Sequence, residues 1–465
     1  MLPSPICRLA RCAALLPLLA TTGLHAQTIA PPRPTLDSIA AAWVSPTRSV
    51  GLVAAVSRGA DPLLVAGYGR ANVEWDVPMP ADAMFEVGSV AKQFTAVAIL
   101  QLQDAGRLSL DDDLTRWLPD VDTDGRRVSL RQLLDHSAGV FRFAEEPEWE
   151  RNMFVPGMPR DSARRLIRLT PFRFEPGTAQ AYNNAGFWLA GLVVERASGL
   201  PLERYFAERI FTPLGMRRSM FCNSLADVPR RAHGYMQQAG SIRRAPMVSY
   251  GWVFAPGAVC STAADLIVWL QALHGGRVLS PAAYAMLTSP STLRDGTALQ
   301  YGLGIKVGRD FDGRRYVGHG GTAPGFRADA TWYPDEQLAV VVLMNTASPN
   351  LSAGELAGQL VQAVSPGRGD SRRTFTGDAS ALVGTYRLIA GGNQPLATID
   401  VTATAEGLAF APNGGRAQPL PWVGGLTFYA NAHTTLTFRR VDGPSGPTME
   451  LHRDDAGNHA ILRRE

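Results

Sequence analysis

Lysine is almost missing from this chain. Its 465 residues include 45 lysines and arginines, and just two of these, Lys92 and Lys306, are lysines. Either side chain serves as a solvated charge, but a guanidinium cannot lose its proton in a protein, whereas an amine can. Because nearly every other cation is arginine, the amine at Lys92 points to a residue that must be deprotonated.

Cysteine is scarce too, and its meaning depends on the first 26 residues. Arg8 and Arg11 precede an apolar run that is too short to span a bilayer but is typical of a secretory signal. We expect cleavage after Ala26 and an exported protein, periplasmic or secreted. The first two cysteines, Cys7 and Cys12, would leave with this leader.

The mature chain then keeps one pair of cysteines, Cys222 and Cys260. In an oxidising compartment such a pair predicts a disulfide, which would stabilise the fold by roughly 3–5 kcal/mol. Two buried thiols are the alternative. A zinc site with His233 would have three candidate ligands without the short spacing of known zinc motifs, so we predict no metal or organic cofactor.

Strong net charge and long apolar segments are also absent. The formal charge is +4, charged residues make up 18% of the chain, and no dense basic run occurs. These features disfavour nucleic acid or a membrane surface as a partner, and no segment after the leader predicts a membrane span. With 46% hydrophobic residues the chain predicts a globular protein that binds a small molecule or short peptide, of undetermined oligomeric state.

The order of the elements predicts an α+β fold. Strand patterns near residues 50–70 and 301–344 flank a mainly helical middle, which favours one largely antiparallel sheet with helices around it and a helical insertion. We divide the chain into a signal peptide (1–26), a main domain (27–365), a linker (366–379) and a C-terminal antiparallel β domain (380–465). The linker is assigned by composition, and the last domain by alternating runs around Gly, Asn and Asp turns.

The first candidate motif is Ser89–Val–Ala–Lys92, at the start of a predicted helix from about Ser89 to Ala105. Residues three apart share a helix face, so Ser89 should lie beside Lys92, with its backbone N–H among the unpaired donors of the first turn. A serine hydroxyl needs a neighbouring base to act as a nucleophile, and burial favours the neutral amine that could serve as one. The alternative is a helix-capping serine followed by a solvated lysine.

Two further segments carry chemistry. Tyr182 and Asn184 directly precede a buried helix, where a phenol could transfer protons and a carboxamide could hold a substrate amide and the lysine together; ordinary helix capping is the alternative. His319 and Gly321 lie at the end of a predicted strand, and the next N–H, on Thr322, could form an oxyanion hole with that of Ser89. An exposed turn is the alternative for this segment.

The order S-x-x-K, Y-x-N, H-x-G resembles the serine β-lactamase and penicillin-recognising family, in particular its class C-like branch. That branch includes D-alanyl-D-alanine carboxypeptidases, D-aminopeptidases and esterases. The segments LRQLLDHSAGV, FEPGTAQAYNNAGF and STAADL add to the likeness, which covers about residues 35–365. The C-terminal segment resembles the lipocalin-like β domain that some members carry.

The resemblance implies a β-lactamase/transpeptidase-like fold and an acyl-enzyme mechanism. It makes Ser89 the nucleophile, Lys92 and Tyr182 the proton-transfer pair, and Asn184 a substrate contact, with His319, Gly321 and Thr322 as further substrate-binding positions. His319 stands where the usual third motif has lysine, so binding of β-lactam carboxylates should be weaker, and a part-charged His319 should make acid binding pH-dependent.

A secreted serine hydrolase of small peptides, amides or esters is therefore the function that the sequence predicts. A D-amino-acid peptidase or an esterase is favoured. The alternatives are a class C-like β-lactamase and a binding protein that has lost turnover. The motifs S-D-N and G-x-S-x-G, typical of other serine enzymes, do not occur.

Overall fold

The computed structural model describes residues 33–465 apart from 46, 142–146, 156, 168, 224–226, 239–240, 311, 349–350, 367–374, 376, 392–395, 406, 432–433, 444–445 and 456–457. The predicted signal peptide lies outside the described residues, as does most of the predicted linker. The elements of the described residues alternate between helices and mostly antiparallel strands, which agrees with the predicted α+β class.

The helices are α1 (Arg33–Ala41), α2 (Ala91–Asp104), α3 (Leu114–Trp117), α4 (Leu130–Leu134), α5 (Pro147–Asn152), α6 (Arg160–Arg164), α7 (Asn184–Ser198), α8 (Leu202–Phe206), α9 (Thr212–Leu214), α10 (Tyr250–Val253), α11 (Ala263–His274), α12 (Pro281–Thr288) and α13 (Ala353–Val364). A 3₁₀ turn, Gly88–Val90, leads directly into α2. None of the helices in the part of the chain that the structure describes combines the length and apolarity needed to cross a membrane.

The strands are β1 (Gly51–Arg58), β2 (Asp61–Asn72), β3 (Val77–Pro78), β4 (Phe85–Glu86), β5 (Met220–Phe221), β6 (Tyr235–Gln238), β7 (Ser241–Arg244), β8 (Val259–Ser261), β9 (Lys306–Arg309), β10 (Arg315–Ala323), β11 (Phe326–Tyr333), β12 (Leu338–Met344), β13 (Thr346–Ala347), β14 (Gly384–Gly391), β15 (Thr398–Thr404), β16 (Gly407–Pro412), β17 (Gln418–Leu420), β18 (Trp422–Gly424), β19 (Thr427–Asn431), β20 (Thr434–Gly443), β21 (Gly446–Asp455) and β22 (Asn458–Arg464).

The main sheet joins distant parts of the chain in the order β3-β2-β1-β12-β11-β10-β9, and all its neighbours are antiparallel. Its central strands are buried on both faces. Successive residues of a strand point to opposite sides of the sheet, and each side packs against its own apolar cluster. On β12, Val341 and Leu343 pack toward α2, α7 and α11, whereas Val340 and Val342 pack toward α1 and α13. This two-sided burial explains the continuous apolar run LAVVVLM.

Strand β10 is the last but one of this sheet, and the edge strand β9 covers only its first half. β9 pairs with β10 only from Arg315 to Gly318, so the stretch from His319 to Ala323 is bonded to β11 alone. That free stretch faces the 3₁₀ turn that carries Ser89, and two glycines permit the approach. A Cβ at Gly321 would lie 1.9 Å from the carbonyl oxygen of Val87, and a Cβ at Gly88 would lie 2.6 Å from that of Thr322.

The C-terminal strands form a separate nine-stranded sheet, β17-β16-β15-β14-β22-β21-β20-β19-β18. Its two outermost strands, β17 and β18, are separated by Pro421 alone, so the sheet curls until its edges almost meet. It encloses its own apolar cluster, which includes Tyr386, Phe428 and Leu451. The prediction of an antiparallel β fold after the linker is confirmed at the level of fold.

The predicted disulfide is present. Cys222 and Cys260 are bonded across a separation of 38 residues. Cys260 lies on β8, the middle strand of a small sheet between β4 and β5. The bond therefore holds β8 to the segment after β5, beside the pocket described below. His233, considered above as a third zinc ligand, contacts Asn72.

Candidate active site

The geometry around Lys92 favours a neutral amine. The side chain is fully buried on the first turn of α2, and burial holds the pKa of Lys92 well below its ordinary value. Its Nζ lies 3.1 Å from Ser89 Oγ, 2.8 Å from Asn184 Oδ1 and 3.1 Å from the carbonyl oxygen of Pro256. A neutral amine can donate two hydrogens to the amide and carbonyl oxygens and use its lone pair to accept the Ser89 hydroxyl.

Three local features hold these atoms in place. The chain enters α2 through Gly88, whose φ of 51° is accessible to glycine at little cost. Asn184 is the first residue of α7, which is capped by Asn183 through a 2.7 Å hydrogen bond from the Ala185 N–H. The Asn183 amide in turn donates to the carbonyl of Val140 at 2.7 Å. The Asn184 side chain therefore projects from a fixed helix start onto Lys92.

Tyr182 is half-buried next to this pair, and its hydroxyl oxygen is buried. The Lys92 Nζ lies 4.6 Å from the centre of the Tyr182 ring. Burial raises the pKa of the Tyr182 hydroxyl, and the nearby Ser89 hydroxyl opposes this rise. The ionised phenol is thus disfavoured. The hydroxyl makes no hydrogen bond of normal geometry with any described residue, so a neutral Tyr182 has its proton available for a substrate.

His319 is enclosed in a chain of hydrogen bonds that leaves it neutral. The backbone N–H of Asn183 donates to His136 Nδ1 at 3.2 Å, so the proton of His136 is on Nε2, 3.3 Å from the Tyr301 oxygen. The Tyr301 hydroxyl then donates to His319 Nε2 at 2.9 Å, and His319 Nδ1–H donates to the Gly320 carbonyl. Burial holds the pKa of His319 well below its ordinary value, and the charge of Lys306 adds to this effect.

This arrangement changes the expectation for the third motif. The sequence predicts a partial positive charge on His319 near neutral pH. Both of its ring nitrogens are instead engaged within the protein, and burial, together with the charge of Lys306, opposes its protonation. His319 therefore fixes the start of the free stretch of β10 through Tyr301, and the cation in this region comes from another residue.

That cation is Lys306, which the sequence argument mentioned only as the second lysine. It begins β9 and pairs with Gly318 on β10, one residue before His319. It lines the same cleft as Ser89 and Tyr182, so both lysines of the chain converge on one site. The scarcity argument applied to Lys92 would have identified Lys306 as well.

The cleft extends to both sides of Ser89 and Thr322, which border both parts. The apolar pocket is lined by Trp149, Met153, Val248, Val253, Pro256 and Pro324. The polar pocket is lined by Lys306, His319, Arg327, Asp329, Ser352 and Asn458. A substrate whose scissile bond lies over Ser89 would therefore place an apolar group on one side and a polar or anionic group on the other.

Arg327 is held at the wall of the polar pocket by carbonyl oxygens. Its Nη2 donates to Ser348 at 3.1 Å and its Nε to Leu351 at 3.4 Å. The third nitrogen, Nη1, is buried and has no hydrogen-bond partner among the described residues. Burial lowers the pKa of Arg327. An unpaired buried N–H of a cation is costly, which favours a ligand acceptor at this position.

The structure brings all seven candidate residues to one cleft: Ser89, Lys92, Tyr182, Asn184, His319, Gly321 and Thr322. Their catalytic roles stay predictions. Among the described residues no group of three or more His, Cys, Asp and Glu is arranged to hold a metal ion. The Pro256 carbonyl and Asn458 carried no recognisable sequence signal.

Comparison with known proteins gives a consistent picture. The beta-lactamase family model matches residues 37–365. A D-aminopeptidase of Gluconobacter oxydans (strain 621H) is 28% identical over 347 residues, which are 72% of this chain and 62% of that protein. The chain thus spans less than two thirds of that curated relative.

Two solved structures share the fold. The D-amino acid amidase from Ochrobactrum anthropi SV3, complexed with L-phenylalanine amide, has a TM-score of 0.62 at 22% identity and covers 71% of this chain and 98% of its own. The octameric penicillin-binding protein homologue from Pyrococcus abyssi has a TM-score of 0.63 at 19% identity and covers 92% of this chain and 99% of its own. The second likeness is too long to fit within residues 37–365, so it includes the C-terminal sheet.

Proposed function

This chain belongs to the beta-lactamase family, and we propose that it is a serine hydrolase that cleaves a short D-amino-acid peptide, amide or ester through an acyl-enzyme on Ser89. The observation that carries the proposal is the buried Lys92 amine, with Ser89, Asn184 and the Pro256 carbonyl around it. The names of the D-aminopeptidase and amidase relatives support the substrate class.

In the acylation step, Lys92 takes the hydroxyl proton as Ser89 Oγ attacks the substrate carbonyl carbon. The oxygen of the tetrahedral intermediate is negative, and the backbone N–H groups of Ser89 and Thr322 stabilise it. The neutral Tyr182 hydroxyl gives its proton to the leaving nitrogen or oxygen as the bond to carbon breaks. Lys92 then returns a proton to Tyr182, and a water molecule hydrolyses the ester of Ser89 by the reverse route.

The two pockets support a substrate orientation. We assign the acyl side to the apolar pocket and the leaving group to the polar pocket, where Lys306 and the Arg327 Nη1 are suited to a carboxylate. A neutral His319 makes the third motif a weaker anion site than lysine would, which favours peptidase or esterase over β-lactamase. Lys306 keeps a β-lactamase as the second candidate, because it supplies a cation to the same cleft.

The test is a substrate panel of a D-alanyl anilide, its L-isomer, a short nitrophenyl ester and nitrocefin. We expect turnover of the D-anilide and the ester to exceed that of the L-anilide and nitrocefin. Fast nitrocefin turnover with the other substrates inert would make the protein a β-lactamase.

A fluorophosphonate probe tests whether turnover exists at all. The wild type should be labelled once and Ser89→Ala should not be labelled. Equal labelling of the two proteins would favour the binding-protein alternative.

We also propose export and the domain organisation derived from the sequence. The leader pattern in residues 1–26 and the Cys222–Cys260 disulfide support an oxidising compartment. Separate apolar clusters on the two sides of the predicted linker support domains at 27–365 and 380–465.

A further inference from the structure

The C-terminal sheet touches the active site at the first residues of β22. The side-chain oxygen of Asn458 accepts the backbone N–H of Tyr182 at 2.8 Å. The next residue, His459, donates its backbone N–H to the Gln180 carbonyl at 3.3 Å, so the two segments form a short antiparallel bridge. A strand 276 residues away in sequence therefore holds the backbone of Tyr182.

Other hydrogen bonds fix the C-terminal sheet against the main body through β19 and β20. Gln300 Nε2 donates to Thr435 Oγ1 at 2.6 Å, and the Tyr429 hydroxyl donates to the Asp310 carbonyl at 2.8 Å. Within the C-terminal sheet, Gly391 allows β14 to approach β22 closely, since a Cβ there would lie 2.0 Å from the His459 carbonyl. The start of β22 is thus supported on both sides.

Asn458 is also part of the polar pocket, together with Ser89, Tyr182 and Lys306. Its carboxamide is half-buried and uncharged. The hydroxyl of Tyr182 makes no hydrogen bond of normal geometry among the described residues, and the Ser89 hydroxyl is its neighbour. Its orientation then depends on the Tyr182 backbone and on ring contacts with His136 and Lys92. The backbone bond to Asn458 is the one that comes from the C-terminal sheet.

We propose that Asn458 is a positioning residue that aims Tyr182 at the leaving group, so that the C-terminal sheet completes the active site. This inference rests on the proposed function, in which Tyr182 protonates the leaving group. A loose Tyr182 should then slow the cleavage of poor leaving groups, which need that proton, and leave good leaving groups nearly unaffected.

The experiment compares Asn458→Ala, Asn458→Asp and the control Thr435→Val on an anilide and a nitrophenyl ester of the same acyl group. We expect Asn458→Ala to lower kcat on the anilide about five- to tenfold, the loss of one hydrogen bond, and to change kcat on the ester less than about twofold. Asn458→Asp keeps the acceptor oxygen and should restore anilide turnover. Thr435→Val removes a different hydrogen bond between sheet and main body and should leave both rates unchanged.

Three results would overturn the inference. The first is an unchanged kcat on the anilide in Asn458→Ala, and the second is an equal decrease of kcat on the anilide and the ester in that variant. The third is an equal decrease of kcat in Thr435→Val, which would mean that the effect comes from general docking of the sheet. If Asn458→Ala unfolds below the assay temperature, Asn458→Asp carries the test, and an anilide-to-ester ratio different from that of the wild type refutes the role. Failure of the proposed function is a separate result, because the wild type would then leave the ester intact and Ser89 unlabelled.

Discussion

At the residue scale, Lys92 shows how one buried amine ties function to stability. An ordinary lysine has a pKa of about 10.4, and burial lowers the pKa of Lys92 well below that value. At a pH between these two pKa values, Lys92 is protonated in the unfolded chain and neutral in the folded protein. The free energy of unfolding therefore rises with pH across that window, and Lys92 destabilises the protein at neutral pH.

We predict that Lys92→Met is inactive but more stable than the wild type at pH 7. This difference in the free energy of unfolding should decrease as the pH approaches about 10, because Lys92 is then neutral in the unfolded wild type as well as in the folded one. Urea unfolding at pH 7 and pH 10 measures it. Lys92→Arg is the control: it keeps a buried charge that cannot be neutralised, so it should be inactive and less stable. A Lys92→Met variant less stable than the wild type at pH 7 would show that packing around the amine outweighs its protonation.

A second residue, Asp329, gives the polar pocket a pH dependence that was expected of His319. Burial raises the pKa of Asp329 to about 6, and the hydrogen bond from Thr331 and the charge of Lys306 oppose the rise. Above that value the carboxylate reduces the positive potential of Lys306, and below it the carboxylic acid does not.

We predict that an acidic leaving group binds more tightly at pH 5 than at pH 7. In Asp329→Asn the KM should be low and nearly constant over this range, because no carboxylate remains to titrate. Measuring KM for a substrate with a terminal carboxylate and for its neutral amide tests this, since the amide should show no change. A wild-type KM for the acid that is constant with pH would contradict the role of Asp329.

At the scale of elements, the site depends on how closely β10 approaches the turn before α2. The two segments are distant in sequence, and Gly88 and Gly321 let their backbones meet. This contact brings the N–H groups of Ser89 and Thr322 to the same cleft. A side chain in the contact would separate them without disturbing either core.

We predict that Gly321→Ala lowers kcat at least about 100-fold, the effect of losing an oxyanion donor. Its Cβ would lie 1.9 Å from the Val87 oxygen, so the strand must shift. Gly320→Ala is the matched control, since the nearest atom to its Cβ would be 3.6 Å away, and its effect should be far smaller. Ester turnover measures the effect on catalysis, and circular dichroism checks that both variants are folded. Near-normal turnover in Gly321→Ala would show that the close approach of β10 to the turn before α2 is not needed.

At the scale of the whole molecule, two bodies with separate apolar clusters meet at Tyr182. The main body is built on both faces of its sheet, and the C-terminal sheet packs around its own interior. The bonds at Asn458, His459 and Thr435 join them. Loss of structure in the C-terminal sheet should therefore reach the active site through Tyr182.

We predict that, on heating, Leu451→Ala loses its anilide turnover at a lower temperature than its ester turnover. Leu451 is fully buried inside the C-terminal sheet, and its truncation should destabilise that sheet by about 2–5 kcal/mol. Anilide turnover should then fall at a lower temperature than ester turnover, because only the anilide needs a well-placed Tyr182. Leu343→Ala, a matched truncation in the main body, should lose both activities together. A joint loss in Leu451→Ala would mean that the two bodies unfold as one unit.

The sequence by itself determined the features that depend on local spacing. Ser89 and Lys92 share a helix face because they are three residues apart, and Ser280 caps α12 because a hydroxyl precedes Pro281. The hairpins β11–β12 and β21–β22 also follow from alternating runs around short turns. These features need no distant partner, so the sequence pattern was sufficient.

The tertiary structure alone decided the features that depend on burial and on distant neighbours. His319 is neutral because it is buried, accepts a hydrogen bond from Tyr301 and lies near Lys306. Asn458 meets Tyr182 because a strand near the end of the chain docks beside α7. Protonation and long-range contacts are set by which groups lie within a few ångströms in space, and spacing along the chain does not report that distance.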